Sequence, residues 1–120
     1  MKKTLMTLAI AALATSAYAD NHNNPEMLKI ATNAGCMTCH QVEARTDGKL
    51  PIGPAWKDVA KKYAGKKDAA ALLTKEVMNG TNLYDSHWKG KVSGVAMPPN
   101  AVAIKEPDAK KLVAWILSLK

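Results

Sequence analysis

The chain has 120 residues and no phenylalanine; three tryptophans and three tyrosines are few for a core. One domain of this size must then fill its interior with small aliphatic groups or with an apolar body that is not polypeptide. Cysteine is equally scarce. Two cysteines and three histidines fall short of the tightly spaced four-ligand set of a structural zinc site. Acidic residues are the minority charge, ten against seventeen lysines and arginines, for a net +7. The lysines are not interleaved with aromatics, so nothing points to nucleic acid. After the first nineteen residues no apolar run approaches the roughly 20 residues that cross a bilayer. No stretch alternates with period two for long enough to argue a sheet. Internal repeats and low-complexity segments are absent.

What is present begins with an address. Lys2 and Lys3 precede an apolar stretch over 5–13, interrupted only by Thr7, and Ala17-Tyr18-Ala19 is a small-x-small cleavage site. This layout predicts a secretory signal peptide over 1–19, cleaved before Asp20, and a domain over 20–120. A retained anchor is the competing reading, and the apolar stretch is short for it. Removal leaves 101 residues with a net charge of +5. The predicted location is a bacterial periplasm or a similar exported space, without stable membrane insertion. Thiols there are oxidised or captured. A mildly basic exported protein can be steered toward acidic protein partners.

Residues 36–40 read Cys36-Met37-Thr38-Cys39-His40. Cys-x-x-Cys-His is the attachment signature of a c-type haem. Both thiols add across the porphyrin vinyl groups, and the next side chain supplies an axial nitrogen to the iron. On one helical turn, positions 36, 39 and 40 face the same way. The haem would also be the apolar disc that the missing aromatics require. Two other readings compete. A thioredoxin-type redox pair belongs beside a strand-helix-strand pattern, which is not found. Half of a zinc site lacks further ligands, since His22 falls in a polar stretch near the expected new terminus.

Four helical segments are predicted. Asn24-Pro25-Glu26 opens the first, followed by Met27, Ile30, Ala31 and Ala34 at helical spacing. The second starts near Gly53-Pro54 and runs through Trp56, Val59, Ala60 and Tyr63 to a stop at Gly65. Asp68 caps the third, which carries Leu72, Leu73, Val77 and Met78 and ends at Asn79-Gly80. Glu106-Pro107-Asp108 opens the fourth, with Leu112, Val113, Ile116, Leu117 and Leu119. The sixth iron position decides between a carrier and a reactive centre. Met97, before Pro98 and Pro99, is the expected ligand, because prolines leave its loop less freedom to lose and a thioether favours reduced iron. Met27 and Met78 read as core, Met37 lies too close to the attachment turn, and His87 is the rival ligand.

Four stretches in this order resemble the small bacterial class I cytochromes c of the cytochrome c-551/c-552 type: 35–40, 52–65, Met97-Pro98-Pro99-Asn100, and 112–120. The resemblance covers nearly all of 20–120. It implies an all-α, single-domain class I cytochrome c fold, with four to five helices wrapped around one covalently attached haem. It further implies that the Pro54 carbonyl accepts from the far nitrogen of His40, that Asn100 orients the Met97 sulfur, and that the Trp88 indole reaches a haem propionate. Gly35 and Trp115 are expected to meet at the crossing of the first and last helices. Stretches 41–52 and 81–96 are longer than the family pattern and are expected to flank the exposed haem edge. Arg45 or Lys49 in the first is weighed as a propionate partner against solvated loop charge. Lys57, Lys61, Lys62, Lys66 and Lys67 are weighed as a docking surface against a solvated helix face. The expected function is a periplasmic one-electron carrier, monomeric and not an enzyme, exchanging electrons with periplasmic redox proteins. The alternatives are a dedicated haem c subunit of a periplasmic dehydrogenase or reductase, a haem peroxidase or gas-binding protein, and a non-haem thiol oxidoreductase.

Overall fold

The computed structural model describes residues 23–82 and 87–120. The expected export segment, its cleavage site, His22, Tyr84 and Asp85 lie outside the described residues. Helix α1 spans Pro25–Asn33, α2 Trp56–Tyr63, α3 Ala69–Asn79 and α4 Glu106–Ser118, with a 3-10 turn at Cys36–Thr38. No strand occurs among the described residues.

Local chemistry sets these boundaries. The Asn24 Oδ1 accepts from the Glu26 and Met27 N–H groups at 3.1 and 3.2 Å, and Pro25 takes the first turn, where its missing N–H costs nothing. Gly35, at φ 77°, reverses the chain in the left-handed region after α1. Helix α2 begins at Trp56, not at Gly53-Pro54. Those two residues lie before the helix and are committed to the neighbouring His40. Asp68 stands at the expected cap of α3, but its side chain caps no backbone N–H.

Helix α4 packs against α1, α2 and α3, and its Ala109, Leu112, Trp115 and Ile116 lie at the centre of the core. Small aliphatic residues dominate there, as the missing phenylalanine requires. The large rings present are concentrated: Trp56 meets Trp115 edge-on, with centroids 5.6 Å apart and planes at 79°, a favoured aromatic arrangement. Met27 is buried in this core and Met78 packs on its margin. Open space surrounds a Cβ built on Gly35, so its left-handed backbone conformation is the reason for glycine there. No helix among the described residues is long and apolar enough to cross a membrane.

Candidate haem-binding site

The attachment residues lie on a tighter turn than an α-helix. The Cys36 carbonyl accepts from both the Cys39 N–H at 3.2 Å and the His40 N–H at 3.0 Å. This forked acceptance brings positions 36, 39 and 40 to one side. Both cysteines are free thiols, partly buried. Burial pushes the Cys36 thiol above its usual range, more than its backbone hydrogen bond lowers it. Reactive redox cysteines show the opposite shift. Among the described residues no three His, Cys, Asp or Glu side chains gather as a metal site, so the zinc reading finds no ligand set there.

His40 is held from two directions. Its Nδ1–H donates to the Pro54 carbonyl at 2.8 Å, which leaves Nε2 as the free lone pair. Burial lowers the imidazole pKa, with the Pro54 bond opposing, so the ring is neutral and suited to a metal. Its ring also stacks on Trp56 at 6.0 Å and 24°. Gly53 makes this possible. A Cβ there would stand 2.8 Å from His40 Cε1 and 3.2 Å from the Cys39 carbonyl, while the Gly53 N–H donates to that same carbonyl at 2.8 Å.

A cavity of about 410 Å³ separates this wall from Met97. Leu112, Val113 and Ile116 of α4 supply an apolar back, Val59 and Leu73 an apolar flank. The residues fit a haem c: two thiols and an imidazole lone pair on one face, a thioether across an apolar gap, and glycine where a side chain would displace the ring. Met97 is fixed through its backbone. The Met97 N–H donates to Thr81 Oγ1 at 2.8 Å, and the Thr81 N–H donates to the Met97 carbonyl at 2.9 Å. Asn100 borders the cavity, but its amide hydrogens go to the Val77 and Pro98 carbonyls at 3.1 and 2.9 Å. Trp88 and His87 line another part of the cavity. Lys62 ties them down, its Nζ donating to the His87 carbonyl at 2.7 Å and lying 4.6 Å from the Trp88 centroid.

The two long stretches meet at the cavity mouth. The Ser93 N–H donates to the Pro51 carbonyl at 2.8 Å and the Gly94 N–H to the Ile52 carbonyl at 3.0 Å. A Cβ on Gly94 would stand 2.5 Å from that Ile52 oxygen. Arg45 is paired within its own loop with Asp47, whose carboxyl is held down to about 2 by that guanidinium first of all. It is thus engaged as loop charge. Lys57 pairs with Glu43 at 2.7 Å and Lys66 sits 5.1 Å from the Tyr63 ring. With Lys62, three of the five lysines weighed for docking have partners inside the molecule.

Sequence reasoning missed Gly53, Gly80 and Thr81. Gly53 had a local signal, the glycine-proline pair before an aromatic. Thr81 had none, since its partner lies sixteen residues away.

Residues 28–120 match the Cytochrome c family. The chain is 38% identical to cytochrome c-552 of Hydrogenobacter thermophilus over 120 residues, all of both chains. It is 37% identical to cytochrome c-551 of Pseudomonas aeruginosa over 108 residues, 90% of this chain and 86% of that one. The crystal structure of wild-type Nitrosomonas europaea cytochrome c552 superposes with a TM-score of 0.60 at 40% identity, covering 78% of this chain and 99% of that chain. The chain belongs to the cytochrome c family, with the class I fold. Its cofactor is one covalently bound haem c, for which Cys36, Cys39 and His40 form the attachment motif, and it is a haem-c electron carrier.

Proposed function

We propose that this protein is a periplasmic one-electron shuttle with His/Met iron ligation. Residues 1–19 act as a cleaved export signal and 20–120 as a monomeric monohaem domain. Cys36 and Cys39 would hold the haem through their thiols, and His40 Nε2 and Met97 Sδ would ligate its iron. Bound haem c supplies a reversible one-electron couple between ferric and ferrous iron. The Pro54 carbonyl keeps the His40 ring in one tautomer and orientation. Leu112, Val113 and Ile116 exclude water, which disfavours the more charged ferric state. Trp88, at the cavity lining, would donate its indole N–H to a propionate. With both axial positions held by the chain, no substrate reaches the metal, and the protein carries electrons outer-sphere between donor and acceptor proteins without being an enzyme. Ile52 and Val95, 50% and 73% exposed, belong to the loops at the cavity mouth and suit the port where a redox partner docks.

The observation that carries this reading is the pairing across one cavity of a neutral, hydrogen-bonded imidazole with a thioether whose peptide is clamped at both its N–H and its carbonyl. Optical spectra of the purified ferric protein test it. The weak long-wavelength band of Fe–S(Met) ligation is expected in the parent and lost in Met97→Ala, which gains binding of external imidazole. A parent without that band, or a Met97→Ala protein that keeps it, overturns the ligand assignment.

A further inference from the structure

The anchor of the Met97 loop lies at the end of helix α3. Gly80 closes that helix, donating to the Glu76 carbonyl at 2.8 Å. At φ 78° it turns the chain so that Thr81 faces the Met97 peptide. A Cβ on Gly80 would come within 2.8 Å of the Met97 carbonyl and 2.9 Å of the Pro99 nitrogen, so the two backbones touch there. Thr81 then bonds both polar groups of Met97, accepting at Oγ1 and donating from its N–H. The hydroxyl is the only side-chain group among these contacts to the Met97 peptide.

We propose that Thr81 is a positioning residue for the axial sulfur, its hydroxyl setting how firmly Met97 stays on the iron against competing ligands. The proposal rests on the His/Met reading above. Methionine has three rotatable side-chain bonds, so its sulfur stays put only if the backbone at the root of that side chain is fixed. Threonine suits the task because branching at Cβ restricts its own rotamers. Removing the hydroxyl leaves the part-buried Met97 N–H without its acceptor, a loss of a kind that moves an equilibrium by about ten- to a hundredfold. The ligand-off form bears none of that loss, so the equilibrium between sulfur bound and sulfur displaced shifts.

The test compares Thr81→Val, which keeps shape and branching, with Thr81→Ser, which keeps the hydroxyl, in the intact ferric holoprotein with imidazole as the probe. Thr81→Val is expected to bind imidazole about ten- to a hundredfold more tightly than the parent and to show a weakened Fe–S band. Thr81→Ser is expected to lie within about threefold of the parent, restoring the band. Thr81→Ala serves if Thr81→Val fails to accumulate, and Met27→Ala controls for lost stability alone, since Met27 is buried in the core away from the cavity lining and the Met97 peptide. Parental imidazole affinity and band intensity in the hydroxyl-free variants overturn the proposal, as does an equal gain in Met27→Ala. If the parent shows the band and Met97→Ala loses it while Thr81→Val keeps it, the role of Thr81 fails and the ligand assignment stands. A parent without the band brings down both.

Discussion

The two walls of the cavity are built in contrasting ways. The His40 wall comes mainly from one short run of chain: five residues carry both thiols and the imidazole, the Cys36 carbonyl closes their turn, and Gly53-Pro54 a few residues on holds the ring. The Met97 wall is assembled from distant pieces. Its loop backbone is tied to Thr81 and abuts Gly80 at the end of α3, and Asn100 reaches back to the Val77 carbonyl. A wall encoded by spacing needs little tertiary structure to exist, while a wall encoded by long-range backbone pairing exists only once α3 is folded and packed on α4. The first suits an attachment reaction that must find its residues early. The second suits the proposed axial sulfur, whose hold on the iron would then depend on the completed fold.

The largest effect that probes this contrast comes from the local wall. Replacing Cys36 and Cys39 with serine is expected to abolish covalent haem altogether, read as the loss of the haem mass from the intact polypeptide and of colour in denaturant. Because the haem would fill an apolar cavity that the double variant leaves without it, that variant is also expected to melt far below the holoprotein. Covalent haem retained in that variant would break the assignment of the local wall.

An intermediate effect comes from the two glycines, one behind each ligand. Gly80→Ala puts a Cβ against the backbone of Met97 and Pro99 and forces alanine to φ 78°, for a cost of about 2–5 kcal/mol. Gly53→Ala presses on the His40 ring and the Cys39 carbonyl but carries no left-handed backbone strain, for about 1–2 kcal/mol. Thermal unfolding of the holoproteins should rank them in that order. Gly80→Ala should also weaken the Fe–S band, while Gly53→Ala should disturb the Nδ1 proton resonance of His40. The reverse ranking would mean that the assembled wall is the more tolerant of the two.

The smallest effect concerns Glu76, which borders the cavity between the walls. Burial raises its carboxyl above the ordinary 4.5, and His87 opposes this only in part. A raised acid contributes stability that is fully present below 4.5 and lost as pH rises through the higher folded value. Glu76→Gln should therefore gain on the parent as pH climbs through that window and match it most closely in acid. A difference in melting temperature independent of pH would contradict this.

Legibility in the sequence followed the same division. The turn at 36–40, the apolar periodicity of α4 and the caps at Asn24 and Pro25 are local, and spacing alone reveals them. The start of α2 was misplaced because Gly53-Pro54 reads as a helix opening, whereas the fold uses it to hold His40. The Asp68 cap failed because a residue type permits a bond without making it. Thr81 to Met97, Asn100 to Val77 and Pro51 to Ser93 join residues far apart in the chain, and nothing in composition or period marks such pairs. Met97 itself stood out through the two prolines that follow it, the core spacing of Met27 and Met78, and the resemblance carried by 97–100, whereas what holds its peptide was invisible.

X-ray absorption at the iron edge of the purified ferrous protein tests the central claim most directly. One sulfur beside five nitrogens is the predicted shell, from Met97, His40 and the porphyrin. A shell of six nitrogens would contradict it and would shift the sixth position to His87.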